Sequence, residues 1–488
     1  MIIKNKKEDL LTYLEDTSNL KGSACRVYLP KDKTELSKCI LELKRQKIPF
    51  TASAGRTGTT GGCTPFGGAI ISFEGFRKDI EVDLKDKTAK LSAGVSLDEL
   101  ETRINKLKLT LRASPTEPLA LAVGTVSTAA SGVRGFGYRG IRNYVKEIEL
   151  CLADGELIKI KRGQILAKGR VFDFELKKRR FKFKLPSYAI PNCKSQAGYF
   201  MKDNLDLIDL FIGSEGTLGI IVSCVLSLQD IPYRAFDGLI FFSKEEDSLK
   251  FVSDIKALKQ KRTIVPTSLE FFDANSLKLL KKEYSFIPEA AAAVYFEQEV
   301  EVVSDHERLI DKWQNLIEQS SALVEESIFA DTAQEREKVF AIRHKLPQMI
   351  NEFLRQSKQV KVASDIAVPE SKFDQMYQDY RKIAKECGID YVNFGHIGES
   401  HLHFNFLPKS DTESEQAKEY LKELCQRAVA LGGTVSAEHG IGKIKKSYLK
   451  LMYSAEDIKG MARVKKYFDP DCLLGLDNIF DRELLKDL

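Results

Sequence analysis

Histidine is scarce in this chain, six residues in 488, and cysteine is scattered: nine residues, with no Cys-x-x-Cys pair among them. Thiolate zinc knuckles and iron–sulfur clusters need closer ligands than that, so neither is expected. No run of eighteen apolar residues occurs, and the opening stretch MIIKNKKEDLLTYLED has no apolar segment of secretory length, which argues against a membrane-spanning helix and a cleaved leader. Reduced thiols in a cytoplasmic protein, or in one peripheral at the inner membrane face, follow from this. An excess of one charge is missing too. With 75 basic residues against 70 acidic ones, net +5, no nucleic-acid partner is implied. No repeat or low-complexity tract interrupts the pattern.

What the chain does contain is length and punctuation by glycine. At 488 residues it exceeds what one hydrophobic core organises, so at least two domains are expected. The spacing predicts a helix over 32–48, then a short strand over 48–52 that enters Ala54-Gly55-Arg56-Thr57-Gly58-Thr59-Thr60-Gly61-Gly62. A strand delivering the chain into such a turn lets backbone N–H groups approach phosphate oxygens with no side chain between, although tight geometry alone also calls for glycine. Strands are predicted at 69–73, 80–83, 89–93, 145–152 and 156–161, and a helix over 96–106 opened by a Ser96/Glu99 capping box. The run Gly124 to Gly132 is almost all small side chains, which permits either close approach of a large planar ligand or tight helix packing. A third glycine turn, Gly213-Ser214-Glu215-Gly216-Thr217-Leu218-Gly219, leads into Ile220-Ile221. Three such turns in one region point to a ligand more firmly than any one of them.

Residues 170–184 alternate aromatics around Lys177-Lys178-Arg179-Arg180. This predicts a surface hairpin with one face packed and one solvated, or else a docking patch for an acidic partner or an anionic membrane. From about 237 the pattern changes. Strands are predicted at 238–242, 268–272, 292–297, 360–368 and 391–394, and amphipathic helices at 245–259, 305–319, 333–354, 370–387 and 413–431. That suits an antiparallel sheet with helices on one side.

Four of the six histidines, His396, His401, His403 and His439, fall between positions 396 and 439. The run from His401 alternates, so His401, His403 and Asn405 share one strand face and Leu402, Phe404 and Phe406 the other. One face is expected to pack and the other to face chemistry. His306 and His344 are expected to be ordinary core or surface residues.

Together these motifs resemble the FAD-linked oxidoreductases of the vanillyl-alcohol oxidase type, in the branch of D-lactate, glycolate and D-2-hydroxyglutarate dehydrogenases. The resemblance rests on the loop 54–62, on Gly124 to Asn143, and on Gly213 to Ile220. It continues through Gly395-His396 to Asn405, Glu438-His439-Gly440-Ile441-Gly442, and Asp469-Pro470 to Asn478. It implies an α+β chain with a two-subdomain PCMH-type FAD-binding domain over 1–235 and a ferredoxin-like cap with an antiparallel sheet over 236–435. A C-terminal segment, 436–488, would close back on the FAD domain.

By the same resemblance the first loop, Gly55, Arg56, Thr57, Gly58, Thr59, Thr60 and Gly61, wraps the FAD pyrophosphate. Gly124, Ser127, Thr128, Ser131 and Gly132 run beside the ribityl chain and the ring. Further cofactor contacts are expected at Pro115, Thr116, Tyr138, Glu215, Gly219, Ile220, Ile221 and Asn478. The flavin should be non-covalent, because no histidine precedes position 306. A divalent metal, Zn, Mn or Fe, would be held by His396, His403 and Glu438, leaving positions open for the hydroxyl and carboxylate of a 2-hydroxy acid. His439 would then remove the hydroxyl proton while the α-hydrogen leaves as hydride to the flavin. Asn405 would stand beside the substrate and Arg343 would clamp its carboxylate. Lys361 is a further candidate, two places before Ala363, where the family often has lysine, and so on the same strand face.

This sequence departs from the family pattern at Gly398-Glu399-Ser400-His401, where Gly-Asp-Gly-Asn is usual, and at Ser53 and Arg56, where arginine and glycine are common. His401, in place of asparagine, is a partner behind the ligands, an extra ligand, or a substrate contact. Two competing functions share the flavin: a transferase resembling alkylglycerone-phosphate synthase, and a flavoprotein subunit that only relays electrons. The first carries a histidine run where this chain has Ala437-Glu438-His439, so Glu438 favours dehydrogenation. A metal hydrolase without flavin would leave the glycine turns unexplained. An external electron acceptor is implied, whether quinone, electron-transfer flavoprotein, cytochrome or a separate iron–sulfur subunit.

Overall fold

The computed structural model describes every residue except Ser114, Thr116, Lys178 and Asp487. The amino-terminal region is built on two sheets. The first has the order Ile2–Lys4, Arg26–Leu29, Ala69–Ser72, Phe50–Ser53, with the last three strands parallel. The helix Lys33–Arg45 is capped by the Asp32 carboxylate, which accepts from the Thr34 and Glu35 N–H groups; it buries Leu36, Cys39, Ile40 and Leu43. The second sheet is antiparallel throughout, in the order Ile80–Asp83, Thr88–Ser92, Ile220–Ser227, Val145–Cys151, Leu157–Lys161. The predicted capping box opens the helix Leu97–Asn105, with Ser96 and Glu99 satisfying each other's backbone.

The strands Val171–Leu176 and Arg179–Lys184 form the expected hairpin. Phe172, Phe181 and Phe183 are buried, and Phe181 and Phe183 pack on Phe468, while Arg180 pairs with Asp173 on the open face. One face is thus packed and the other open, as the hairpin reading expects; Lys178 lies outside the described residues.

The second half centres on an antiparallel sheet whose strands run Ile328–Ala330, Arg234–Phe242, Ala292–Val300, Ser268–Asp273, Tyr391–Gly395, His401–Phe406, Val362–Ala363, with Ile366–Ala367 also pairing with His401–Phe406. Helices on one side alone were expected, and the structure corrects this. Phe236, Ile240 and Phe242 pack with Phe251, Val252 and Trp313, while the alternate residues Leu239 and Phe241 pack with Leu277, Ile342 and Leu346 of helices Ala274–Leu280 and Ala333–Gln356. The strand Ala292–Val300 is buried along its whole length, because a sheet covered on both faces has no solvent side to require alternation.

The strand predicted over 360–368 is broken at Ser364-Asp365. Ser364 still bonds the neighbouring strand, donating its N–H to Phe404 O at 2.9 Å. The Asp365 carboxylate turns instead to the loop 436–439. That loop continues into a tail that returns to the first sheet: Phe50 N–H donates to Leu473 O and Gly475 N–H to Phe50 O, both at 2.8 Å. No helix among the described residues is long and apolar enough to cross a membrane.

Candidate functional site

The three glycine turns converge. Strand Phe50–Ser53 feeds the loop 54–62 into a cleft whose opposite wall is the short helix Ala122–Ser127 with Thr128 and Ser131, and whose floor is Glu215, Gly219, Ile220 and Ile221. Gly55, Arg56, Thr57, Gly58, Thr59, Thr60, Pro115 and Gly124 also line it. Gly61, Gly132, Tyr138 and Asn478 do not. Gly61 faces Leu20, and the Tyr138 hydroxyl donates to Glu299 at the boundary with the cap. Asn478 supports the cleft from behind, its amide donating to Gly62 O at 3.0 Å and Glu215 O at 3.1 Å. Thr116 lies outside the described residues.

The loop fits a phosphate-bearing cofactor on its own geometry. A Cβ at Gly62 would meet nothing within 4 Å, and Arg56 keeps a buried Nη1 with no hydrogen-bond partner among the described residues. The guanidinium lies over the Tyr13 ring with its Nη2 3.9 Å from Glu74, so the remaining Nη1 donor beside open backbone suits a pyrophosphate. Glu215 ties the far end of the cleft to the C-terminal segment by accepting the N–H groups of Ile441 at 2.7 Å and Gly442 at 2.6 Å; burial raises its pKa to about 6 despite them.

Glu438 and His439 share this wall, and behind them stand the other clustered histidines. The Glu438 Oε1 atom lies 3.1 Å from His396 Nε2, 3.2 Å from His403 Nε2 and 3.7 Å from His439 Nε2. Two ligands at right angles, each about 2.1 Å from an ion, stand about 3 Å apart, so this spacing fits a shared metal. Its Oε2 atom is taken by Lys194 Nζ at 2.8 Å and the Ser131 hydroxyl at 3.1 Å, which leaves Oε1 for the imidazoles. A second trio, Asp365, His403 and His439, is also close enough to chelate. Its carboxylate is worse placed for an ion, since Asp365 Oδ2 already receives Lys445 Nζ at 2.6 Å and Ser436 Oγ at 2.8 Å.

The electrostatics divide the histidines. Burial pushes His396 down, but Glu270 and Glu438 on either side outweigh it and hold its pKa at about 9. His396 Nδ1 donates to Glu270 Oε1 at 2.6 Å, the arrangement that fixes a metal-binding imidazole. Burial lowers the pKa of His403, and burial with His403 beside it lowers His401 to about 3. Burial works against ionisation of Glu438, yet His396 and Lys194 keep it well below the ordinary range. His396, His401 and His403 are 4%, 0% and 8% exposed, whereas the His439 side chain is 34% exposed and opens on the cleft.

Arg343 is buried and its Nε donates to Glu270 Oε2 at 3.3 Å; its two Nη atoms donate to no acceptor among the described residues. Asn405 is buried, its amide donating to His403 O at 2.9 Å and its Oδ1 left without a partner among the described residues. Lys361 is solvent-accessible, yet surrounding protein and then Lys445 lower its pKa, as for a side chain standing in a recess. His306 bonds Asp331 and His344 bonds Phe340 O, both away from the cluster.

Residues 25–161 match the family model "FAD binding domain", and residues 238–475 match "FAD linked oxidases, C-terminal domain". The chain is an FAD-linked oxidoreductase. It is 27% identical over 469 residues to the glycolate oxidase subunit GlcD of Bacillus subtilis, covering 94% of this chain and 90% of that one. It is 27% identical over 459 residues to a D-lactate dehydrogenase of Archaeoglobus fulgidus, covering 92% and 90%. The fold is that of p-cresol methylhydroxylase, solved with substrate bound, at a TM-score of 0.71 and 14% identity over 99% of this chain and 94% of that one.

Sequence reasoning about this FAD-linked oxidoreductase missed three site residues. Lys194 reaches Glu438 from an irregular segment with no motif of its own, and Glu270 sits in a strand read only as packing. Asp365 falls inside the strand predicted over 360–368, and the loop groups its carboxylate accepts from lie 71 and more positions away.

Proposed function

We propose that this FAD-linked oxidoreductase oxidises a 2-hydroxy acid of the D-lactate, glycolate or D-2-hydroxyglutarate type to the 2-oxo acid. A divalent metal, Zn, Mn or Fe, would be held by His396, His403 and Glu438. The observation that carries this is the placement of His439: of the four clustered imidazoles it is the one open to the flavin cleft, with the Glu438 carboxylate beside it. The bound FAD supplies a two-electron acceptor, and the metal would supply Lewis acidity at the substrate hydroxyl.

The protein's own groups do the rest. His439 turns Nδ1 to Asp365 Oδ2, 3.3 Å away, which keeps the proton on Nδ1 and leaves Nε2 as the base. Nε2 takes the hydroxyl proton as the Cα–H pair departs, and the C–O bond becomes the carbonyl. The free Nη edge of Arg343 is the candidate clamp for the carboxylate, with Asn405 and Lys361 as further candidates on the same side. FAD is held without a covalent link, and electrons pass on to an external acceptor: quinone, electron-transfer flavoprotein, cytochrome or iron–sulfur subunit.

The test is anaerobic bleaching of the bound flavin by a panel of D- and L-2-hydroxy acids, with and without a chelator. Rapid bleaching by one acid, lost on chelation and restored by metal, is expected. A flavin that no hydroxy acid reduces would overturn the proposal.

A further inference from the structure

His401 has no assigned work in the scheme above, and its surroundings are unusual. It is completely buried, in a strand where every residue is buried. A neutral imidazole normally donates from one ring nitrogen and accepts at the other. Here Nε2 faces Asp365 Oδ1 at 3.1 Å, an oxygen that also accepts the Glu438 N–H at 3.2 Å, while Nδ1 has no hydrogen-bond partner among the described residues. A buried ring nitrogen left without a partner is rare unless something else occupies its lone pair.

The ring is also in the right place. Its centroid is 4.5 Å from that of His403 and 5.2 Å from that of His396. One ring nitrogen from each of His396, His401 and His403 and one oxygen of Glu438 all lie within 4.8 Å of one another. We propose that His401 is a fourth protein ligand of the metal site, so that the ion is held by three imidazoles and one carboxylate. This rests on the metal reading of the proposed function and extends it.

The extra imidazole has chemical consequences. On a six-coordinate ion four protein ligands leave two positions, which is what a hydroxyl and a carboxylate of one 2-hydroxy acid require; a purely tetrahedral ion would have none free. A nitrogen-rich set also favours ions that accept imidazole, such as Fe, Zn, Co or Ni, over Mg and Ca, which prefer oxygen. His401 is therefore a residue that sets which metal the enzyme takes and how many waters the substrate displaces.

The experiment reads the metal rather than turnover. FAD-loaded, full-length protein is stripped of metal and titrated with Zn2+ against a competing chelator, and the Zn2+ form is examined by X-ray absorption to count imidazoles. The expected result is three imidazoles in the wild type, with His401→Asn and His401→Leu each weakening Zn2+ binding by roughly 10–100-fold or more. Two imidazoles in the wild type, or variants that bind Zn2+ as tightly as it does, would overturn the proposal while leaving the smaller site intact. If the wild type binds no Zn2+, Mn2+ or Fe2+, the metal reading itself falls and this inference with it. Should the variants lose their flavin through misfolding, the imidazole count in the wild type decides alone.

Discussion

Asp365 holds His439 twice: its Oδ2 atom accepts the histidine's backbone N–H at 3.0 Å and stands 3.3 Å from the ring Nδ1. Burial opposes ionisation of this carboxylate, but His439 and Lys445 keep its pKa well below the ordinary range, so it is a fixed negative charge under the ring. Asp365→Asn is expected to retain FAD and slow flavin reduction by roughly 100-fold or more, since the base loses both its tautomer and its orientation. Rapid-reaction kinetics with the substrate found by bleaching check this. An unchanged reduction rate would remove Asp365 from the mechanism.

His439→Ala is expected to leave FAD and metal content as in the wild type while abolishing reduction by substrate. A metal analysis alongside the kinetics separates a lost base from a lost ligand. Normal reduction would mean that the proton goes elsewhere.

Glu270 sits behind His396, bonded to its Nδ1 at 2.6 Å, and Arg343 balances it from the other side. Glu270→Gln is expected to weaken metal binding by roughly 10–100-fold with FAD unaffected, because the imidazole loses the carboxylate that orients it. Chelator competition measures the change, and retention of full affinity would show that His396 needs no such support.

Gly442 is in a left-handed conformation, φ 51°, and a Cβ there would come within 2.2 Å of Thr60 O in the glycine loop. Gly442→Ala is expected to push the C-terminal segment off the loop, lowering both FAD occupancy and Tm. Flavin absorbance per protein reads the first and thermal melting the second; a variant with full flavin and an unchanged Tm would contradict the packing described.

Asp273 caps the helix Ala274–Leu280 by accepting the Ser276 N–H at 2.8 Å, and burial raises its pKa to about 7. A carboxyl held above its unfolded value, near 4, is protonated more easily in the native state. Folding then takes up a proton, and this group's contribution to stability is full below pH 4 and is lost as pH rises through about 7. Asp273→Asn, which caps as well while staying neutral, is expected to stabilise by a few kcal/mol at pH 8 and little at pH 4. Denaturant unfolding at the two pH values checks it, and an equal effect at both would place the charge elsewhere.

Much of the architecture was legible in the residues themselves. Glycine turns after short strands, the Ser96/Glu99 box and the 3.6-residue periodicity of the long helices act through local sterics and hydrogen bonds, so they appear in the sequence at fixed offsets. The alternation at His401–Phe406 likewise placed three polar side chains on one face. The helices on both faces of the large sheet were less legible, because a continuously apolar strand does not say what covers it.

What the sequence determined by itself was the cofactor class, the two-part fold, and a histidine-rich site carrying His396, His403 and Glu438. What only the tertiary structure decided was how those residues are paired and which of them opens on the cleft. Lys194 and Glu270 reach the site from 244 and 126 positions away from their partners, and Asp365 is freed to hold His439 by a break in its own strand. Exposure and pairing in a low-dielectric interior set how each imidazole is held and how readily it takes a proton, and both are properties of the surroundings rather than of the residue.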